Sequence, residues 1–165
     1  MTCLQTLTYQ YSSQQRAHSD LFLVDPPWVG GYERSTLAAS WIALEDADER
    51  NGALLIYPGS HLLEKRTLES FAGNYPDYAT YLEQLCESNG IEARSFCARR
   101  GDILFWHGDF IHAGGEILDA DASRFSLVSH YARVPADKAS ATVDRRKQQT
   151  DTGFFYGAGD PLAPT

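Results

Sequence analysis

The sequence predicts an all-β domain of the barrel or jelly-roll type that carries one or two insert helices. Three observations predict this class: the patterned segments are short and rich in β-branched and aromatic residues, Gly, Pro and Asn separate them, and a helical period occurs only once. Many short strands joined by such turns are typical of barrels and jelly rolls. A chain of 165 residues can also bury a core in one domain without disulfides.

The predicted elements follow one another along most of the chain. Strands are expected at residues 4–11, 18–24, 36–44, 53–57, 91–98, 103–106 and 124–134. Asn51-Gly52 predicts a hairpin between two of them. One helix is expected over residues 76–88, because apolar residues recur there at helical spacing and Asn89-Gly90 provides a stop. Periodicity is lost from about residue 139, so we predict a domain over residues 1–138 and a partly looped extension over residues 139–165.

Composition argues against several classes of partner. The net charge of −8 disfavours nucleic acid and an anionic membrane surface, because both attract a basic face. No apolar run approaches the ~20 residues of a transmembrane helix, and the N-terminus lacks the features of a signal peptide. The three cysteines form no CxxC pair or zinc-ligand spacing. We therefore expect a cytoplasmic protein with reduced thiols and a small-molecule partner.

Among the five histidines, His18 and His112 suggest a metal site together with Asp20. His18 and Asp20 stand two residues apart in a predicted strand, so their side chains are expected on the same face. An imidazole and a carboxylate make two thirds of a facial triad, which holds Fe(II) and leaves coordination positions open. His112 is the expected third ligand, because a jelly roll places early and late strands side by side.

A second pair with the same spacing is His107 and Asp109. Its only downstream histidine is His130, close by and in the next predicted strand, so the first pair is preferred. We interpret His107 as a loop residue beside the site and Asp109 as a turn residue. His130 is interpreted as a packing or hydrogen-bonding residue, and the neighbouring aromatic residues Phe105 and Trp106 as core.

Arg124 and Ser126 follow the expected third ligand and share one face of a predicted strand. A planar guanidinium can form two parallel hydrogen bonds to a carboxylate, and a hydroxyl nearby can add a third. Together with an Fe(II) triad, they describe a site for a small diacid that also chelates iron. 2-Oxoglutarate is such a diacid.

Short motifs stand in a fixed order between about residues 10 and 135. They are Ser13-Gln14-Gln15-x-x-His18-x-Asp20, Ala39-Ser40-Trp41-Ile42-Ala43-Leu44-Glu45-Asp46, Asn51-Gly52-Ala53-Leu54, Pro58-Gly59-Ser60-His61, Gly101-Asp102-Ile103-Leu104-Phe105-Trp106, His112, Arg124-x-Ser126 and His130-Tyr131. In this order they resemble the phytanoyl-CoA dioxygenase family of Fe(II)/2-oxoglutarate oxygenases. The resemblance implies a double-stranded β-helix, the cupin-like form of the jelly roll.

The resemblance also implies the roles of the site residues. His18, Asp20 and His112 would bind the iron. The carboxylate itself favours an oxygenase, since a small residue replaces it in the related halogenases. Arg124 and Ser126 would hold the distal carboxylate of 2-oxoglutarate, and a tryptophan at the position of Trp41 lines the cosubstrate pocket in the family.

The implied reaction uses O2 to decarboxylate 2-oxoglutarate to succinate and CO2. It hydroxylates an aliphatic C–H bond of a small or medium organic molecule, with ascorbate as an accessory reductant. The same site supports desaturation or ring closure, which only products would distinguish. Nothing in the sequence resembles a cradle for the phosphates of CoA.

The sequence departs from the family pattern ahead of the first motif. Family members carry helices and strands there, whereas this chain reaches its first candidate ligand at His18. We therefore expect an uncovered sheet edge or apolar face, through which two copies would form a homodimer. The alternative function is a non-catalytic or truncated jelly-roll module that binds a ligand or partner.

Overall fold

The structure is a computed structural model that describes residues 2–24, 32–135, 147–150 and 153–156. The strands of these ranges are β1 (Thr2–Tyr9), β2 (His18–Ser19), β3 (Glu33–Ala43), β4 (Leu54–Ile56), β5 (Arg94–Phe96), β6 (Ile103–His107), β7 (Ile111–Gly114), β8 (Ser126–Arg133), β9 (Lys147–Thr150) and β10 (Gly153–Tyr156). One α-helix, α1, spans Tyr75–Ser88 within the same ranges. Short 3₁₀ turns occupy Asp20–Phe22, Ser60–Leu62 and Leu68–Phe71.

Two four-stranded antiparallel sheets form the frame. The first has the order β1-β8-β3-β6 and the second the order β2-β7-β4-β5. Neighbouring strands come from distant parts of the chain because the chain repeatedly crosses from one sheet to the other. This arrangement confirms the predicted all-β jelly roll with an insert helix.

The core lies between the inner faces of the two sheets. On the first sheet, Trp41 of β3 pairs with Val128 of β8 and with Leu104 of β6. These side chains form one cluster with Leu54 of the second sheet and with Trp106. Because alternate residues of a strand share a face, Ser126 and His130 of β8 point the same way as Val128, and Arg124, which precedes the strand, lines the same cavity as Val128 and His130. The inner face of the first sheet therefore carries both core and site residues.

Helix α1 packs against the outer side of the second sheet. Asn74 caps its N-terminus by accepting a hydrogen bond from the backbone N–H of Asp77 at 3.3 Å. Its apolar face buries Tyr78, Leu82 and Cys86 against Ile111 of β7. The helix ends at Ser88, and Gly90, just beyond the cap residue Asn89, has a φ of +70° that suits the left-handed turn there. The predicted helix is confirmed, with a start one residue earlier.

The predicted strand over residues 18–24 is wrong beyond its second residue. Pairing with β7 ends at Ser19, and Asp20 begins a 3₁₀ turn. The backbone N–H groups of Leu23 and Val24 both donate to the carbonyl of Asp20, at 3.0 and 2.8 Å. These local hydrogen bonds turn the chain away from the sheet, so strand alternation does not explain how His18 and Asp20 converge.

Asn51-Gly52 forms a turn but not the predicted hairpin. The Asn51 side chain accepts from the N–H of Asp48 at 2.8 Å and donates to the carbonyl of Asp46 at 2.9 Å, and Gly52 has a φ of +80°. The flanking strands β3 and β4 nevertheless belong to different sheets. Strand β3 pairs with β6 on one side and β8 on the other, so no edge of it is free for β4.

Other differences concern strand limits and the C-terminal part. The strand predicted at residues 91–98 is formed only at Arg94–Phe96, and β8 begins at Ser126, so Arg124 precedes it. Phe105 was expected in the core but is 70% exposed, because β6 turns alternate residues outward.

The predicted extension contains an antiparallel hairpin of β9 and β10. The predicted boundary at residues 138 and 139 and the tail from residue 157 lie outside the described residues. No helix in the described ranges is long and apolar enough to cross a membrane.

Candidate metal centre and cosubstrate pocket

The structure brings His18, Asp20 and His112 together. His18 on β2 pairs directly with His112 on β7, and Asp20 begins the 3₁₀ turn that follows β2. One oxygen of Asp20, Oδ1, lies 3.8 Å from His18 Nε2 and 3.7 Å from His112 Nε2. All three residues are buried, and their candidate ligand atoms lie within 4.8 Å of one another. This is the spacing that a single metal ion between them requires.

Backbone carbonyls orient both imidazoles. Nδ1 of His18 lies 2.8 Å from the carbonyl of Arg16, and Nδ1 of His112 lies 3.3 Å from that of Phe110. Because a carbonyl can only accept, each Nδ1 carries the proton and donates it. Each Nε2 then presents its lone pair towards Asp20, which is the tautomer that a metal ligand needs.

The second oxygen of Asp20, Oδ2, is held by residues of the first sheet. Trp106 Nε1 donates a hydrogen bond to it at 2.7 Å, and His130 Nε2 lies 3.3 Å away. The side-chain amide of Gln5 lies 3.2 Å from Nδ1 of the same histidine. Its NH2 group can only donate, so the His130 proton resides on Nε2 and faces the carboxylate. These contacts engage Oδ2 and leave Oδ1 towards the two imidazoles.

Burial sets the charge state of the centre. It lowers the pKa of His18 to about 4, and the neighbouring His112 adds to this effect. Burial alone would raise the pKa of Asp20, but the imidazoles of His112, His130 and His18 outweigh it and hold that pKa below its usual value. Near neutral pH the centre therefore offers a neutral His18 and a charged carboxylate, the forms that bind a metal.

Arg124 is a buried cation without an acidic partner among the described residues. Its Nη1 donates to the carbonyl of Gly52 at 2.6 Å, its Cζ lies 5.6 Å from the ring centre of Trp41, and its Nε has no partner. Burial lowers its pKa to about 10, so it remains charged at neutral pH. Burying a guanidinium costs free energy unless an anion pairs with it, so Arg124 indicates a binding site for an anionic ligand.

Two further predicted residues have buried polar atoms without partners. They are Trp41 Nε1 and Ser126 Oγ, and both residues are almost fully shielded from solvent. Trp41 and Arg124 line the same cavity, and Ser126 is not among its lining residues. Unsatisfied buried donors of this kind indicate a missing hydrogen-bond acceptor.

A cavity of about 240 Å³ joins the two halves of the site. It is lined by the three candidate ligands, by Trp41 and Arg124, and by residues of the first sheet, which include Gln5, Tyr9, Trp106, Val128 and His130. The sequence prediction missed Gln5, Tyr9 and the role of Trp106. The alternation of side chains along β1 and β6 could have predicted which of them point inward. It could not have predicted which residues of other strands they would contact.

The donor set fits the metal and cosubstrate that the motifs suggest. Two neutral imidazoles and one carboxylate are the ligands of mononuclear Fe(II) in the facial triad. The buried guanidinium in the same cavity fits the distal carboxylate of a chelating diacid. Fold and site together define the class of non-haem iron oxygenases built on a double-stranded β-helix.

Comparison with known protein families identifies the family within this class. The profile of the family described as phytanoyl-CoA dioxygenase (PhyH) matches residues 5–126. The chain belongs to the phytanoyl-CoA dioxygenase family.

Two curated relatives and one solved structure illustrate the similarity. Phytanoyl-CoA dioxygenase 1 of Oryza sativa subsp. japonica is 36% identical over 108 residues, which are 64% of this chain and 34% of that protein. Phytanoyl-CoA dioxygenase domain-containing protein 1 of Bos taurus is 32% identical over 92 residues, which are 54% of this chain and 31% of that protein. The chain thus spans about a third of the length of these relatives. The epimerase SnoN, in complex with Fe3+, alpha ketoglutarate and nogalamycin RO, superposes with a TM-score of 0.56 at 21% identity, over 98% of this chain and 59% of SnoN.

Proposed function

We propose that the chain carries the catalytic site of an Fe(II)- and 2-oxoglutarate-dependent dioxygenase that hydroxylates an aliphatic C–H bond of a small or medium organic molecule. One observation carries the proposal. A three-ligand centre and a buried guanidinium, which has no acidic partner among the described residues, line the same cavity. Either feature alone would fit a structural role, but together they match a metal and a dianion that bind side by side.

His18, Asp20 and His112 would hold the iron through Nε2, Oδ1 and Nε2. Iron, 2-oxoglutarate and O2 together supply the oxidising chemistry, in which 2-oxoglutarate is converted to succinate and CO2. The carbonyls of Arg16 and Phe110 hold the two imidazoles in one tautomer, with each Nε2 directed to the metal position. Trp106 and His130 keep Oδ2 of Asp20 occupied, so that only one carboxylate oxygen faces the metal position.

Arg124 would bind the distal carboxylate of 2-oxoglutarate. The Gly52 carbonyl orients the guanidinium through Nη1 and leaves Nε free to donate. Ser126 Oγ, which is buried without a partner among the described residues, would be a second donor. The apolar side chains of Leu54 and Val128 line this part of the cavity and exclude water, which strengthens the charge pairing.

The substrate would enter the part of the cavity that faces β1. Among the described lining residues, Asp20 and Arg124 carry the charges, and both are assigned to the metal and the cosubstrate. The remaining polar side chains there, among them Gln5, Tyr9 and Gln15, are uncharged. They favour an uncharged, hydrogen-bonding group next to the C–H bond that reacts.

The proposal is tested by anaerobic titration of the metal-free protein with Fe(II) and 2-oxoglutarate. We expect a weak visible charge-transfer band of the chelated complex, followed by iron-dependent succinate formation in air. The band and turnover should be lost in His18→Ala and Asp20→Ala and retained in His61→Ala, which alters an exposed imidazole. Absence of the band in folded wild-type protein would contradict the proposal and favour the non-catalytic binding module.

We further propose that two copies associate through the edge of the first sheet. Strand β6 is the outermost strand of that sheet, and its outward residues Phe105 and Ile103 are 70% and 48% exposed. An apolar edge strand of this kind favours pairing with another sheet edge. Sedimentation velocity should show a dimer that Phe105→Lys dissociates. Leu62→Lys, which alters an equally exposed residue elsewhere, should leave it intact, and a monomeric wild-type protein would contradict the proposal.

We place the protein in the cytoplasm on the basis of its thiols. Cys3, Cys86 and Cys97 are unpaired, and the first and last of them are exposed. Exposed unpaired thiols are typical of reducing compartments. Fractionation of cells that express the tagged chain should recover it with cytoplasmic markers, and enrichment in an oxidising compartment would contradict this assignment.

A further inference from the structure

The second histidine–aspartate pair spans the end of β6 and the turn to β7: His107, predicted as a loop residue, is the last residue of β6, and Asp109 lies in the turn. His107 is exposed, and its Nδ1 accepts a hydrogen bond from the backbone N–H of Asp109 at 3.1 Å. The carboxylate of Asp109 points instead towards the back of the metal centre. Its Oδ1 accepts from Ser19 Oγ at 3.3 Å, and its Oδ2 lies 3.5 Å from Nζ of Lys65.

Ser19 is the residue between the two candidate ligands of β2. It is fully buried, and its one hydroxyl proton is shared between the carbonyl of Gly108 at 3.0 Å and Asp109 Oδ1 at 3.3 Å. The backbone N–H of Leu21 donates to the same carbonyl at 2.8 Å. Both neighbours of Asp20 in the chain are therefore tied to this one turn.

The turn itself has little freedom to move. The N–H of Gly108 donates to the carbonyl of Leu37 on β3 at 2.7 Å. A Cβ at this glycine would lie only 2.7 Å from side-chain atoms of Leu37, so only glycine allows the approach. The turn is thus pressed against the first sheet while it holds the end of β2 in the second.

Lys65 extends the network to the other ligand strand. Its side chain is 1% exposed, and Nζ donates to the carbonyls of Ser60 and Leu63 at 2.8 Å each. The Ser60 hydroxyl accepts from the backbone N–H of Ile111 at 2.8 Å, next to His112 in β7. The Asp109 carboxylate, 3.5 Å away, forms an ion pair with the same ammonium. One buried cation therefore joins the supports of β2 and β7.

We propose that Lys65 and Asp109 are positioning residues for the candidate metal centre, acting through Ser19 and Ser60 to hold the ligands of β2 and β7 at one spacing. The inference rests on the proposed function, because it needs a metal at His18, Asp20 and His112. A buried ion pair is poor evidence for stability as such, since desolvation offsets its attraction. The Lys65–Asp109 pair lies behind β2 and β7, the strands that position the candidate metal ligands. This position instead supports a role in setting the geometry of the ligands.

The test measures binding of Co(II) alone, in place of Fe(II), to Lys65→Met and Asp109→Asn. Anaerobic calorimetry gives the affinity, the visible ligand-field spectrum reports the geometry of the ligands, and urea unfolding of the metal-free proteins measures folding. We expect each variant to bind Co(II) about 10-fold or more weakly with an altered spectrum. The matched control is Arg50→Met, which removes an exposed ion pair with Asp48 and should change neither quantity.

The outcomes separate this inference from the proposed function. If wild-type protein binds no Co(II), the metal centre and the inference both fail. If a folded variant binds Co(II) with wild-type affinity and spectrum, the positioning role is overturned and the pair is structural only. If Lys65→Met does not fold, Asp109→Asn decides alone, because it keeps the size of the side chain and removes the charge that pairs with Lys65.

Discussion

His18 and His112 are cross-strand partners in the second sheet, with ring centres 4.2 Å apart. The pairing brings two imidazoles from distant parts of the chain to one face of β2 and β7. A slip of one residue would turn one of them to the other face, so the register of two short strands decides whether the centre exists. The features that hold this register are thus part of the proposed function.

We expect Trp106→Phe to weaken metal binding without unfolding the protein. The change retains an aromatic ring in the core and removes the indole N–H that donates to Asp20 Oδ2 at 2.7 Å. The carboxylate could then rotate, and we expect an affinity for Fe(II) or Co(II) lower by about 10-fold, as for other supports of metal ligands. Anaerobic calorimetry measures this. Trp41→Phe serves as the comparison, because the Trp41 indole N–H has no partner, and an equal loss in both variants would contradict the prediction.

Arg124→Met should separate cosubstrate binding from metal binding. It removes the buried cation and keeps much of the side-chain volume, so we expect the KM for 2-oxoglutarate to rise by about 100-fold or more, since charge-assisted pairs are strong. Metal affinity measured without 2-oxoglutarate should stay close to wild type. The control is Arg133→Met, which alters an exposed arginine at the last residue of β8. An unchanged KM in Arg124→Met would show that another group binds the diacid.

Gly52→Ala should destabilise the protein by about 2 kcal/mol or more and impair cosubstrate binding, because the left-handed turn and the space around it both require glycine. A Cβ there would lie 2.6 Å from Ser12 Cβ and 2.7 Å from the Gly115 carbonyl oxygen, and the Gly52 carbonyl orients Arg124. Gly73→Ala is the matched control, because Gly73 has a similar φ of +77° but open space around it. Urea unfolding compares the two, and equal losses would mean that backbone strain alone is responsible.

The free energy of unfolding of the metal-free protein should fall as the pH falls from about 6.5 to about 4. Burial lowers the pKa of His18 from 6.5 to about 4, so in this range the unfolded chain binds a proton that the folded chain does not. Stability is therefore full above the unfolded pKa and decreases until the pH reaches the folded one. Urea unfolding across this range measures the slope, which should be shallower in His18→Gln and unchanged in His61→Gln. A slope that His18→Gln leaves intact would assign the proton to another group.

The sequence by itself determined the elements whose signals are local. Helix α1 has its cap at Asn74, its apolar period and its stop at Gly90 within one continuous segment, and it forms almost where predicted. The left-handed turn at Asn51-Gly52 is likewise decided by the two residues that make it. The sequence also predicted the residue types of the candidate centre, because an imidazole and a carboxylate at short spacing are typical metal ligands in many folds.

The tertiary structure alone decided which of these residues meet and what surrounds them. It ended β2 at Ser19, gave β3 partners other than β4, and turned Phe105 outward. It also placed Trp106 against Asp20 and left Arg124 buried without an acid among the described residues. Such contacts join positions far apart in the chain, and strand pairing and burial select them through the packing of both sheets at once. No local pattern encodes that selection, which is why the chemistry could be predicted from the sequence and its geometry could not.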